Sequence, residues 1–485
     1  MNAAMSRAAA DLKRMLRIKP YRHQSVAAAR GMACLQAHGS FALLHDMGSG
    51  KTLTTLGIFS MLVESAGAST MLVVCPASVI GSWEKECQSA GIDCLALTGP
   101  VARREARLTR ALLEMRAPLV IVTNYEGVWR MEGAMKVARF DLAVCDESQR
   151  IKAPGSKQSR AMHRIGKTAK HRMILSGTPI PEGPLDYYAQ FRYLDERVLG
   201  SSYVNFKSKY AVERDFGTFR KVVATKNLDD LEMRVMSRAH RVSKEDALDL
   251  PDEVDIVRYF DLSPAGAKAY DQLARDSVAL IEDDFGEFGE VVAENVLTRI
   301  LRLQQMTSGF AALEDGTLHP VDDGKLGLLR EVAKDLMEAG EKFVVFHRFT
   351  ADGQAIVAEL EKLGCAPVAI NGAVPASVRG EAVRRFQEDD DCRAFVGQIQ
   401  ASGLGITLTA ARTTIFYSLG YSGADFEQAK ARVHRIGQDR KVNHLYLVAR
   451  GTVDEAVLTA LRAKKRVADD MTDGAWKRWF VRIRE

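Results

Sequence analysis

The segment Leu43-Leu44-His45-Asp46-Met47-Gly48-Ser49-Gly50-Lys51-Thr52 restricts the chain's fold more than any other feature. An apolar run that reads as a strand passes through a glycine-bearing turn into a helical pattern beginning near Thr52. In such a strand–turn–helix unit, backbone N–H groups close around phosphate oxygens and the helix N-terminus adds partial positive charge. Lys51 can then reach the β and γ phosphates, and the Thr52 hydroxyl can ligate Mg²⁺. The loop from Asp46 through Met47, Gly48, Ser49 and Gly50 to Lys51 and Thr52 is therefore the expected nucleotide cradle. His45 holds the place of the leading glycine in the usual pattern.

A phosphate loop of this kind belongs to a parallel α/β sheet, and the flanking sequence agrees. Short apolar, β-branched runs alternate with longer helical patterns. In the first half the strand candidates are Phe41–Leu44, Met71–Cys75, Leu119–Val122, Leu142–Cys145 and Met173–Leu175. In the second half they are Phe343–Phe346, Ala394–Val396, Thr414–Phe416 and Leu445–Val448. The stretch from about 184 to 319 reads as helical and charged, with an acidic segment around Glu282–Glu290. The expected organisation is a nucleotide-binding lobe over 1–230, with a helical protrusion from about 184. A helical insertion and link follow over 231–319, then a second lobe with a short tail over 320–485. At 485 residues the chain is too long for one compact domain.

Composition excludes little else. The chain is 47% hydrophobic and 27% charged, with no apolar run near the roughly 20 residues a membrane helix needs. The net charge of +5 permits nucleic-acid binding without requiring it. Seven scattered cysteines, with no CxxC pair, argue against zinc and against a disulfide framework. Met1–Lys19 is Ala-rich and mildly basic, and reads as a leading helix or as a mimic of a transit peptide. A cytoplasmic setting is expected, nucleoid-associated in a bacterium or in the host cytoplasm for a phage-encoded chain.

Other candidate groups sit at the ends of the expected strands. Asp146 and Glu147 follow Leu142–Cys145, where α/β folds place ligands. Asp146 suits Mg²⁺ held through its water shell, and Glu147 suits a general base acting on the attacking water. Ser176 and Thr178 end the Met173–Leu175 run and either contact the acidic pair or form an ordinary turn. Arg432 and Arg435, three apart, are expected on one helix face. Two guanidiniums aimed at one point suit the charge of a transferring phosphoryl group; a solvated basic face is the alternative.

Taken in order, these strings resemble a Swi/Snf-type ATPase of helicase superfamily two. Phosphate loops ending in Gly-x-Gly-Lys-Thr are usual in that type. Pro20-Tyr21-Arg22-His23-Gln24 resembles its adenine-reading segment, with Gln24 the adenine contact, and Asp46–Leu53 resembles motif I. Val74–Glu84 resembles motif Ia, Val122–Tyr125 motif Ib, Asp146–Lys152 motif II and Leu175–Ile180 motif III. Arg241–Asp246 with Asp249-Leu250-Pro251 resembles a link peculiar to the family. Val344–Thr350 resembles motif IV, Ala401–Leu408 motif V with Gly405 at the nucleotide, and Glu427–Gln438 motif VI. Two departures stand out. Gln149 replaces the histidine that usually ends motif II, and its neutral amide can still bridge the γ-phosphate and the other lobe. Gly420-Tyr421-Ser422 replaces the Trp-Asn/Ser-Pro expected after motif V.

The resemblance implies two RecA-like lobes with ATP and Mg²⁺ held between them, and double-stranded DNA as the track. It implies ATP-driven translocation without strand separation. Lys51, Asp146, Glu147, Gln149, Arg432 and Arg435 then form the catalytic set. Ser78, Asn124, Lys152, Lys157 and Ser402 are candidate DNA contacts or merely polar loop residues. The cluster Arg103, Arg104, Arg107 and Arg110 reads as a solvated helix face. The tail Trp476–Arg482 interleaves aromatics with cations, as a protein- or DNA-contacting segment or as packing against the second lobe. A strand-separating helicase and a nucleotide-switched scaffold remain as alternatives.

Overall fold

A computed structural model describes residues 2–16, 20–115, 118–181, 183–215, 220–243, 251–284, 300–312, 317–372, 374, 376–399, 406–420, 422–459 and 461–462. The motif V residues Ser402 and Gly405, residues 244–250 of the family link and the aromatic tail lie outside them. The chain folds as two units that divide between Asp249 and Leu250.

The first unit is built on a seven-stranded parallel sheet. Its strands are β1 (Ser40–His45), β2 (Thr70–Cys75), β3 (Asp93–Ala96), β4 (Leu119–Asn124), β5 (Leu142–Asp146), β6 (His171–Leu175) and, after a β7–β8 hairpin (Ala211–Asp215, Arg220–Thr225), β9 (Ala239–Val242). They run in the order β3-β4-β2-β5-β6-β1-β9. The helices that matter here are α1 (Asn2–Leu16), α2 (Arg22–His38), α3 (Lys51–Ala66), α4 (Ile80–Ser89), α5 (Val101–Glu114), α6 (Tyr125–Val128), α7 (Glu132–Ala138), α8 (Lys157–Gly166) and α9 (Tyr187–Leu194).

The strand period of two sorts each central strand between two cores. Phe41, Leu43, Met71, Val73, Val120, Val122 and Val144 pack on one face with α2, α3 and α4 residues such as Ala28, Ile58 and Trp83. Ala42, Leu44, Leu72, Val74, Ile121, Cys145 and Ile174 pack on the other with Leu108, Met162 and Phe191. Burial on both faces explains why these strands read as continuous apolar runs. The leading helix α1 puts Ala8 and Leu12 into the first of these cores and pairs Arg14 with Glu64 of α3.

The second unit repeats the plan. Six strands run β10-β17-β16-β13-β15-β14: β10 (Glu253–Phe260), β13 (Phe343–His347), β14 (Val368–Ile370), β15 (Ala394–Gln398), β16 (Thr413–Phe416) and β17 (Val442–Ala449). A small antiparallel pair, β11 (Phe310–Ala312) and β12 (Leu318–Pro320), lies apart from it. Alternation again separates Val344, Phe346, Phe395 and Phe416 from Phe343, Val345, Val396 and Ile415.

The middle region corrects the expectation of a helical link. It supplies the β7–β8 hairpin, β9 along β1, and β10 paired with β17 over eight residues. β9 and β10 are edge strands, so only one neighbour pairs with each and no two-sided apolar run is required.

Candidate functional site

Parallel strands deliver their following loops to one edge, and three neighbours in the first sheet, β5, β6 and β1, carry the motif II, III and I residues. The phosphate loop leaves β1 at His45 and enters α3 at Lys51. Gly50 sits at φ +80°, and a Cβ there would lie 2.3 Å from Gln24 Nε2. That position therefore excludes a side chain both by conformation and by space. The Ser49 hydroxyl donates to Asp46 O at 2.7 Å, closing the turn. The Lys51 ammonium donates to His45 O at 2.9 Å and to Asp46 O at 3.3 Å, so it curls over the loop's own carbonyls. Met47 is buried beside it, and Thr52 follows at the second position of α3.

Gln24 reaches this loop from α2. Its side-chain oxygen accepts from Tyr21 N at 2.9 Å, and its amide donates to Ser49 O at 3.5 Å. His23 lies 2.8 Å from the same carbonyl. His45 turns inward, 2.8 Å from His240 Nδ1 on β9, and is fully buried. Burial first, then the neighbouring His240 and Lys51, push its imidazole down to about 2, so it stays neutral. His45 therefore ties the start of the loop to the neighbouring edge strand.

Asp146 ends β5, buried, and burial followed by the adjacent Glu147 charge drives its carboxyl above the usual range. Oδ1 accepts from Glu147 N–H at 2.9 Å and Oδ2 from the Trp83 indole N–H at 2.8 Å. The Tyr125 hydroxyl donates to the Asp146 backbone carbonyl at 2.7 Å. Glu147 adopts a left-handed backbone, φ 50°, uncommon outside glycine and often found at functional turns. A relay runs from it: Gln149 Nε2 donates to Glu147 Oε2 at 2.8 Å, the Ser176 hydroxyl donates to Gln149 Oε1 at 2.8 Å, and Thr178 N–H donates to Ser176 Oγ at 3.1 Å. Gln149 thus joins motifs II and III, and its amide presents opposite ends to Glu147 and Ser176.

These groups fit a nucleotide with Mg²⁺. Gly50, held at a positive φ directly before α3, leaves backbone N–H groups and the α3 N-terminus for phosphate. The Lys51 ammonium favours the ionised form of the Asp146 carboxyl, against the burial and the Glu147 charge that raise its proton affinity. Among the described residues no cluster of three or more His, Cys, Asp or Glu could cage a metal alone. Thr52 and Asp146 would hold Mg²⁺, which takes one or two protein ligands beside phosphate oxygens and water.

The candidate DNA contacts occupy loops at the same sheet edge. Ser78 lies half-buried in the turn between β2 and α4. Asn124 ends β4; it accepts from Arg104 at 2.8 Å and donates to Glu126 at 2.9 Å. Arg104 also donates to Gly99 O, so this arginine braces a loop rather than forming part of a solvated face. Lys152 lies 4.0 Å from Asp186, and the exposed Lys157 stands 4.9 Å over the Trp129 ring.

In the second unit the helix Gly423–Lys430 stops before the two arginines, so they do not share a helix face as expected. Residues 431–437 form successive turns instead. Two anchors hold them there. The buried Gln438 amide donates to Ala411 O at 2.7 Å, and His434 lies 2.8 Å from Pro251 O and 3.0 Å from Glu253. Leu408 N–H donates to Arg432 O at 2.9 Å and Arg435 donates to Ile406 O at 3.1 Å, so both arginine segments bear on the end of motif V. Sequence reasoning assigned no role to Trp83 or Tyr125, because no spacing rule links positions 83 or 125 to 146.

Comparison with known proteins agrees with this arrangement. Residues 21–309 match the model of the SNF2-related domain, and 324–437 the helicase conserved C-terminal domain. The chain is 26% identical over 443 residues to the putative ATP-dependent helicase/translocase YwqA of Bacillus subtilis, covering 91% of this chain and 47% of the relative. It is 25% identical to the mouse chromodomain-helicase-DNA-binding protein 1-like, covering 91% and 49%. The chain thus spans about half the length of these curated relatives. Among solved structures, the Sulfolobus solfataricus SWI2/SNF2 ATPase core in complex with dsDNA is 24% identical over 94% of both chains, with a TM-score of 0.44. With its SNF2-related domain matched over 21–309, the chain belongs to the SNF2 family of helicase-type ATPases.

Proposed function

We propose that the protein is an ATP-driven translocase on double-stranded DNA that remodels or displaces protein–DNA complexes. The observation that carries this reading is the relay from Glu147 through Gln149 to Ser176, at the strand edge that also bears the phosphate loop. Lys51 binds the β and γ phosphates, Thr52 and Asp146 hold Mg²⁺, and Glu147 takes a proton from the attacking water. Arg432 and Arg435 stabilise charge on the transferring phosphoryl group. Mg²⁺ neutralises phosphate charge when bound. Ser78, Asn124, Lys152 and Lys157 meet the DNA backbone, giving sequence-tolerant, salt-sensitive binding.

Displacement of a third strand from a duplex–triplex substrate tests movement itself. The full chain should release the third strand only with ATP, and Lys51→Ala should release none while still binding duplex. Duplex-stimulated hydrolysis without any displacement would reject the translocase reading.

One observation favours a second reading, a strand-separating helicase. The β7–β8 pair is two antiparallel strands placed in sequence between Tyr210 and Leu228. Unwinding of a tailed fork by the pure protein decides for it; failure to unwind beside active triplex displacement decides against it.

A further inference from the structure

Asp146 is gripped by side chains from two loops whose function lies elsewhere. Trp83 is fully buried on α4, directly after the turn that holds Ser78, and its N–H donates to Asp146 Oδ2 at 2.8 Å. Tyr125, also buried, is the first residue of α6, adjacent to Asn124, and its hydroxyl donates to the Asp146 carbonyl at 2.7 Å. The strands that launch these segments, β2 and β4, are neighbours, and β2 lies against β5. A buried tryptophan needs only some acceptor for its single N–H. Here that acceptor is the carboxylate expected to face Mg²⁺, and a second buried aromatic holds the same residue's backbone.

We infer that Trp83 and Tyr125 are positioning residues that couple duplex engagement at the Ser78 and Asn124 loops to the cation-holding geometry of Asp146. This rests on the translocase reading above, and extends it by naming the mechanical connection. Contact with the DNA backbone at either loop bears on an element whose aromatic is bonded to Asp146, Trp83 following Ser78 in the same segment and Tyr125 following Asn124 directly. With Oδ2 pinned by Trp83 and Oδ1 by Glu147 N–H, each oxygen keeps its second lone pair for a hydrated cation. Loss of either aromatic bond leaves nucleotide and DNA able to bind but severs their cooperation.

The test uses the full chain and two variants, Trp83→Phe and Tyr125→Phe, with thermal melting as the check on folding. Tyr125→Phe removes a single oxygen, so it carries the test even where the smaller ring at 83 lowers stability. Binding of a fluorescent ADP analogue is titrated with Mg²⁺, with and without duplex, alongside duplex affinity and steady-state ATP turnover. In the wild-type chain, duplex should lower the Mg²⁺ concentration needed for half-maximal nucleotide binding. In both variants that shift should vanish, and the duplex stimulation of turnover should fall, about tenfold for Trp83→Phe, whose bond is to the carboxylate, and about fivefold for Tyr125→Phe, whose bond is to a neutral carbonyl. Duplex affinity should be unchanged. Wild-type Mg²⁺ response and stimulation in both variants overturn the coupling alone. A wild-type chain that duplex does not stimulate overturns the translocase reading and the coupling with it.

Discussion

Single side chains in this protein serve two ends, holding the sheet and shaping the site. Asp141 shows the first. Its carboxylate accepts from the backbone and hydroxyl of both Ser69 and Thr70, and Lys170 pairs with it at 2.5 Å. Burial opposes its ionisation, but Lys170 and the two backbone N–H groups outweigh that and hold the carboxyl down to about 2. Because the folded value lies below the ordinary 3.8, its stabilising effect is present above about pH 4 and is lost as pH falls toward 2. Asp141→Asn should cost about 1–3 kcal/mol at neutral pH in urea denaturation, shrinking in acid; an equal cost at pH 3 and pH 7 would reject this. The candidate site was legible where a motif abuts a strand end, as at Lys51, Asp146 and Glu147, which the structure brings to one sheet edge. Trp83 and Tyr125 were legible only as family strings, because their bonds to Asp146 arise from the order β4-β2-β5, which no local spacing encodes.

At the scale of elements, sequence and structure part at the sheet edges. Every interior strand announced itself as a short apolar run, since helices cover both of its faces. Within the two parallel sheets, the four strands that gave no such signal, β3, β9, β10 and β14, are the outermost ones. β10 mixes half-buried and exposed positions, with only Phe260 buried, and β9 is Ala-His-Arg-Val. The polar residues of β9 and β10 limit unwanted pairing and remove the apolar pattern that would reveal them, whereas β14, Val368–Ile370, is only three residues long. The energetic consequence is unequal sensitivity. Phe416 in β16 stacks on Tyr446 at 5.3 Å and touches Phe346 and Phe426, whereas Tyr259 on β10 is 43% exposed. Phe416→Ala should cost about 3–5 kcal/mol, and Tyr259→Ala no more than about 1 kcal/mol. Urea midpoints for the two variants check the difference, and similar losses would place β10 in the core rather than at an edge. The arginines of motif VI show the converse: a helical spacing of three was overridden by the Gln438 and His434 anchors.

For the whole molecule, two parallel α/β units and an ordered series of motifs account for nearly the entire chain, and the SNF2 family match spans more than half of it. No helix among the described residues is long and apolar enough to cross a membrane. Net charge carried little of the reading, since +5 over 485 residues is too slight to identify a nucleic-acid track. Under the proposed function the track meets the loops around Ser78 and Asn124, which share a sheet edge with the phosphate loop. The central claim is therefore that duplex DNA, acting at those loops, accelerates hydrolysis at Lys51 and Glu147. Steady-state ATP turnover of the full chain, measured without DNA, with single strands and with blunt duplex at fixed Mg²⁺, tests it most directly. Duplex should raise turnover well above either other condition, with Lys51→Ala and Glu147→Gln inactive throughout. Turnover indifferent to duplex, or persisting in Lys51→Ala, would contradict it.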